Sequence, residues 1–135
     1  MIVVDTNVLA HCVITGPGTA VAEAVFRKDS AWRAPGLWRS EFRNLLVRRL
    51  HRGETDFPTA VTAMEDARRL LEEESPEVGD RAVLTLAQRS GCTAYDCEFV
   101  ALAEALGAVL VTRDRQVLRA FPGVAVTPEE FARGR

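Results

Sequence analysis

Residues 2–7 read Ile-Val-Val-Asp-Thr-Asn, and this short stretch decides how the rest of the chain is read. Ile2, Val3 and Val4 form an unbroken β-branched run, the pattern of a short strand buried on both faces of a parallel sheet. The run ends at Asp5, and Asp5-Thr6-Asn7 offers capping side chains to a helix beginning near Val8. A second run of the same kind, Val109-Leu110-Val111, is followed by Thr112-Arg113-Asp114. Each buried strand therefore delivers an acid near its carboxyl end, where open parallel sheets bind ligands.

Between and beyond these runs the chain reads mostly as helix. Gly16-Pro17-Gly18 breaks the first helix, and Thr19 to Lys28 forms a second. Ala31 to Ala34 suits a short strand closed by Pro35-Gly36. Trp38 to Arg52 is helical, with Trp38, Phe42, Leu45, Leu46 and Leu50 at i, i+4, i+7 spacing and Gly53 as its stop. Pro58 opens the next helix, expected to bury Val61, Met64, Leu70 and Leu71 and to end at Glu72-Glu73-Glu74 and Pro76. Helices from Val78 to Ser90 and from Thr93 to Leu106 each stop at a glycine, Gly91 and Gly107. A short helix to about Ala120, a weak strand at Val124–Val126 and a last turn from Pro128 complete the chain. Strands at both ends with helices between predict a single α/β domain over 1–135, its parallel sheet covered on both faces.

Composition narrows the function. The chain has 135 residues, 47% hydrophobic and 27% charged, an ordinary globular balance with enough length for a core of its own. Cys12, Cys92 and Cys97 are odd in number and form no C-x-x-C pair. With no basic leader before Asp5, they predict reduced thiols and a cytoplasmic protein. The apolar stretch from Val8 to Ala22 is interrupted by His11, Gly16, Pro17 and Gly18, so no membrane span is expected. His11 and His51 lie too far apart in sequence for a common zinc site. A net charge of −2 gives no overall basic field, although 16 of the 17 basic residues are arginines, leaving Lys28 as the one lysine. Arginine suits phosphate recognition; codon bias in a GC-rich genome gives the same count.

Four acids are candidates for chemistry. Asp5 and Asp114 follow the two buried strands, and a helix N-cap is the alternative reading of each. Glu41 borders the apolar stripe of its helix, one turn from both Trp38 and Leu45, where a plain surface glutamate is the alternative. Asp96 sits in the first turn of its helix near the inward-pointing Phe99, Val100 and Ala103; the alternative is a capping-box partner for Thr93. Taken together, several carboxylates at one sheet edge repel and raise one another's pKa values. A hard divalent cation relieves that repulsion, and an oxygen-only donor set favours Mg²⁺ or Mn²⁺. Such a site suits hydrolysis of phosphodiester bonds by Mg/Mn-activated water. A receiver domain would want adjacent acids at the first strand and a late lysine; an Asp-nucleophile phosphatase would want an aspartate where Asn7 stands.

The motifs "VVDTNVL" at 3–9, "APGLWRSEFRNLL" at 34–46 and "AYDCEFVALAEALGAVLVTRD" at 94–114, in this order, resemble a PIN domain. Within that superfamily the chain is similar to the VapC-type toxin ribonucleases of type II toxin–antitoxin systems. The resemblance covers essentially the whole chain. It implies a three-layer α/β/α fold with a short parallel sheet, and a Mg²⁺-dependent endoribonuclease for which Mn²⁺ substitutes. Asp5, Glu41, Asp96 and Asp114 match the metal-binding and catalytic acids, Asp5 and Asp96 being the principal ligands and Glu41 and Asp114 the helpers. Thr6, Asn7 and Thr112 match groups that orient them. Arg115, Gln116 and Val117 stand where some relatives carry a further acid, so one ion is expected, and Cys97 reads as a packed neutral thiol.

The resemblance further implies an RNA substrate cut to 5′-phosphate and 3′-hydroxyl ends, a small antitoxin inserted across the acids, and a homodimer. The arginines then gain a context. Arg48 and Arg52 share a helix side with Glu41, while Arg113, Arg115 and Arg119 flank Asp114, and all are candidate phosphate contacts. Ion pairs with residues 72–77 are the alternative. A reading from a different class keeps the fold without the cutting: a catalytically silent PIN-fold module that binds an antitoxin or RNA.

Overall fold

The computed structural model describes residues 1–71 and 76–134. The run Glu72-Glu73-Glu74, expected to end a helix, lies outside the described residues. In chain order the elements are β1 (Ile2–Val4), α1 (Thr6–Val13), α2 (Thr19–Lys28), β2 (Trp32–Arg33), α3 (Trp38–His51) and α4 (Phe57–Leu70). They continue with α5 (Asp80–Ser90), α6 (Ala94–Leu106), β3 (Leu110–Val111), α7 (Arg115–Ala120), β4 (Ala125–Val126) and α8 (Pro128–Arg133).

The four strands form one sheet in the order β2-β1-β3-β4, and every pairing is parallel. Ile2 lies beside Trp32, Val4 beside Val111, and Leu110 beside Ala125. Val3, Val4, Leu110 and Val111 are all buried, which is why β1 and β3 carry continuous apolar runs and no alternation. Helices flank the sheet, as the strand–helix alternation predicts. From β1 the chain returns to pair on one side, as β2; from β3 it returns on the other, as β4. The carboxyl ends of β1 and β3 therefore flank a topological switch point, the crevice where such sheets take ligands.

The helix boundaries follow their local signals. Asp5, Asp56, Thr93, Asp114 and Thr127 each cap a helix by accepting a hydrogen bond from a backbone amide in its first turn. Gly91 and Gly107 end α5 and α6 in the left-handed region, at φ 75° and 62°. On α3 the buried side chains are Trp38, Phe42 and Leu46, with Leu45 and Leu50 partly covered. Trp32, fully buried in β2, donates its ring N–H to the Asp29 carbonyl at 2.8 Å and meets Phe26 edge to face. No helix among the described residues is long and apolar enough to cross a membrane, and Cys12, Cys92 and Cys97 are all free thiols.

α4 departs from the expected stripe. Its buried residues are Ala60, Ala63 and Ala67, while Val61 is 42% exposed and Met64 and Leu70 are only partly covered. The buried side chains are the small ones, at the seam where α4 meets α1 and α3, while Met64, Leu70 and Leu71 reach the core from its margin. Filling that seam should therefore harm the fold more than polarising its outer face. Ala67→Leu should lower stability by about 1–3 kcal/mol, and Val61→Ser should change it by less than about 0.5 kcal/mol. Urea unfolding of the two variants measures the difference; equal losses would mean that α4 is not closely docked.

Candidate metal centre

The site begins where β1 ends. Asp5 extends the β1–β3 ladder through its amide, which donates to the Val111 carbonyl at 3.1 Å. Its two carboxylate oxygens have separate tasks. Oδ1 accepts the Val8 amide at 2.8 Å and caps α1; Oδ2 accepts the Thr112 hydroxyl and, at 3.4 Å, the Arg113 amide. The two readings of Asp5, cap and site acid, are thus compatible: the cap needs only one oxygen.

Asp114 repeats the arrangement after β3. Its Oδ1 accepts the amides of Gln116 and Val117 at 2.9 and 3.0 Å and caps α7. Its own amide donates to the Thr112 hydroxyl oxygen at 3.0 Å. Thr112, itself buried, therefore links the two acids, giving its hydroxyl proton to Asp5 and accepting from the Asp114 amide. The other two acids come from helices. Glu41 in α3 is half-buried, and the buried Thr6 donates its hydroxyl to Glu41 Oε1 at 2.6 Å. Asp96 is half-buried in the first turn of α6, where its amide is bound by Thr93 Oγ1 at 3.0 Å. Buried Cys92 and Cys97 occupy the positions of a hydrophobic staple around that cap, which accounts for a cysteine beside the acid. Burial pushes the Cys97 thiol up, keeping it neutral.

Asp5, Glu41, Asp96 and Asp114 line one cavity of about 290 Å³, together with Thr6, Asn7, Asn44, Thr112 and Arg48. Asn44 is the lining residue that the sequence reading passed over; it lies three residues from Glu41 in "RSEFRN", a spacing that puts both on one helix face. Burial raises the Asp5 carboxyl above its usual range against the pull of its hydrogen bonds, and the charge of Asp114 adds to the rise. Burial also raises Glu41, where Thr6 opposes the shift and the charges of Asp5, Asp96 and Glu98 reinforce it. Glu98 is thus a further acid within electrostatic reach that the sequence did not single out.

Among the described residues, no three His, Cys, Asp or Glu side chains gather into a ready ligand cluster. The donor chemistry nonetheless fits a hard divalent cation. The oxygen donors around the cavity are carboxylates, hydroxyls and side-chain amides, beside one guanidinium, Arg48, and with neither imidazole nor thiol among the described residues. Hydroxyl and amide donors orient Asp5, Glu41 and Asp114.

The arginines divide. Arg48 lines the cavity with Glu41. Arg52, at the end of α3, and Arg115 and Arg119 are exposed and outside that lining. The guanidinium of Arg113 does not stand ready for a substrate: it pairs with Glu129 in α8, Nη2 to Oε2 at 2.7 Å and Nη1 to Oε1 at 3.3 Å. Of the acids expected to pair with these arginines, residues 72–75 lie outside the described residues.

An acid whose pKa is raised by folding disfavours the folded state once ionised. The metal-free protein should accordingly lose stability as pH rises from about 4 through the folded-state pKa values of Asp5 and Glu41. Glu41→Gln keeps an acceptor for Thr6 and removes one charge. In the presence of a chelator it should melt above the parent at about pH 7, with the gain vanishing below about pH 4. Thermal melts across that range test this; a variant no more stable than the parent at neutral pH would contradict it.

Comparison with known proteins places this geometry. The family model of the PIN domain matches residues 2–123. Ribonuclease VapC3 of Pyrobaculum aerophilum is 51% identical over 43 residues, a match spanning 32% of this chain and only 32% of that curated relative's length. Among solved structures, PAE2754 from Pyrobaculum aerophilum superposes with a TM-score of 0.78 at 24% identity, covering 96% of this chain and 92% of that one. The toxin–antitoxin complex from Klebsiella pneumoniae contains a chain similar at TM-score 0.66 and 16% identity, covering 95% and 98%. These two likenesses are of fold. The short parallel sheet between helices and the family match along most of the sequence lead to one conclusion: the chain belongs to the PIN domain family.

Proposed function

We propose that the protein is a divalent-metal-dependent endoribonuclease acting as the toxin of a toxin–antitoxin pair. The observation that carries this reading is the convergence of four acids from separate parts of the chain on one cavity at the switch point of the sheet. The partial relative is named a ribonuclease, and one structural neighbour is a toxin–antitoxin complex. Mg²⁺, with Mn²⁺ as its substitute, is the cofactor that the donor set suits. Asp5 and Asp96 would hold it, with Glu41 and Asp114 assisting.

When bound there, the ion supplies positive charge beside the scissile phosphate and makes water more acidic. The chain's residues do the rest. Thr112 fixes Asp5, and Thr6 fixes Glu41, so neither carboxylate turns freely when RNA enters. Glu41, its pKa already raised, is suited to take the proton from the attacking water. Arg48, on the same wall, neutralises a phosphate next to the cut. Asn7 and Asn44 offer amide donors to the same backbone. The products are 5′-phosphate and 3′-hydroxyl ends.

The partners follow from the same reading. Next to the acid cavity, α3, α4, α5 and α6 border a groove of about 820 Å³ lined by Trp38, Arg39, Arg68, Val83, Leu84 and Glu98, among others. Glu98, on its wall, acts electrostatically on Glu41, so the groove suits a segment of a small antitoxin bound beside the acids. The exposed Tyr95, on α6, supplies apolar surface for a homodimer. The enzyme works in the cytoplasm, where its thiols remain reduced.

Incubating the protein, freed of any antitoxin, with labelled structured RNA and Mn²⁺ or Mg²⁺ should give cleavage that a chelator stops. Asp5→Asn and Asp96→Asn should each reduce it to background. Arg48→Ala should weaken RNA binding and lower the slope of log affinity against log salt by about one. RNA that is bound and left intact by a metal-loaded protein would promote the silent binding module instead.

A further inference from the structure

Arg48 already lines the cavity, and Arg113 is a second cation whose backbone adjoins the acids. It stands between Thr112 and Asp114, and its own amide touches Asp5 Oδ2 at 3.4 Å. A flexible arginine at that position has the reach to fold back over the acids and act as a tethered counter-ion. Its side chain instead points to α8, where Glu129 grips it with both carboxylate oxygens, at 2.7 and 3.3 Å, and it is absent from the cavity lining.

α8 is built to hold that grip. Thr127 caps it and also donates its hydroxyl to Glu130 at 2.9 Å, which fixes the turn that carries Glu129. At its other end Lys28, the one lysine in the sequence, bonds the carbonyls of Phe131 and Gly134 and lies over the Phe131 ring, 4.5 Å from its centroid. A basic side chain at the carbonyl end of a helix satisfies groups the helix cannot pair itself. Both ends of a six-residue helix are thereby pinned, one by its cap and the other to α2.

We propose that Glu129 is a positioning residue whose task is to hold the Arg113 guanidinium away from Asp5 and Asp114, keeping the acid cavity open to a divalent cation. The proposal rests on the metal-binding part of the function given above, not on RNA cleavage. It assigns Arg113 a role opposite in sign to that of Arg48: unless restrained, Arg113 competes with the cofactor. A strut that merely stiffened the loop would have a different signature, since losing either partner of the ion pair would then do equal harm.

Mn²⁺ binding, read by the loss of the free-ion signal in electron paramagnetic resonance, separates the two. Glu129→Gln frees Arg113 and should weaken Mn²⁺ binding about fivefold, the scale of one well-formed partly exposed ion pair. Arg113→Gln alone should bind Mn²⁺ at least as tightly as the parent, and the double variant should recover parental affinity. Thermal melts of the three confirm that each is folded. Unchanged binding in Glu129→Gln would overturn the proposal, as would equal weakening in the two single variants or no recovery in the double. A parent chain that binds no Mn²⁺ would overturn the metal site itself and the proposal with it. Failure of cleavage alone, with the binding pattern intact, would count only against the nuclease.

Discussion

The structure turns on a carboxylate held at the end of a buried strand. Asp5 follows three core residues, in a setting where an ionised group is costly, and it is retained by the donors of Val8, Thr112 and Arg113. One of its oxygens starts α1 and the other is bound to the loop that leaves β3. The first helix, the central strand pair and the site therefore share a single side chain. Moving Asp5 would unfasten all three, which ties the site to the central strand pair.

The remaining acids are arranged around that anchor by elements with ordinary structural reasons to be there. α3 is docked by Trp38, Phe42 and Leu46 and so presents Glu41 at the margin of its apolar face. α6 is buried along most of its length, from Cys97 to Ala103, and delivers Asp96 in its first turn. β3 parallels β1 in register and brings Asp114 alongside Asp5 through Thr112. What results is a cavity in which burial first, and neighbouring carboxylates second, oppose the charge of Asp5 and Glu41, an arrangement that costs stability and suits a cation. Proteins commonly concentrate such unfavourable groupings where they act.

Much of this was legible in the sequence, because the signals were local. The β-branched runs located β1 and β3; the glycines at 53, 91 and 107 stopped their helices; Asp5, Thr93 and Asp114 announced the caps. The candidate acids could be named individually, but their meeting at one cavity is a property of strand order, and periodicity carries no information about that. The family resemblance supplied it. The cap reading of Asp5 and Asp114 holds, and it leaves the site reading open, since capping uses one carboxylate oxygen of each. On α4 and at its cap, Met64, Leu70 and Leu71 do pack against the core, but only in part. The buried positions are the small Ala60, Ala63 and Ala67, and Val61 faces outward, a detail that a pattern of large apolar residues does not carry. The Arg113–Glu129 pair lay beyond reach, because nothing in either residue's neighbourhood marks a partner sixteen positions away.

The central claim is that Asp5 and Asp96 anchor a divalent cation that relieves the repulsion within the cavity. The most direct test is the melting temperature of the intact chain as Mn²⁺ is added, compared with Asp5→Asn/Asp96→Asn. A ligand bound only by the folded state stabilises it by about 2.7 kcal/mol at a hundred times its dissociation constant. The parent should melt progressively higher as the ion is added, and the double variant should not respond. A parent that gains nothing, or a variant that gains as much, would contradict the account.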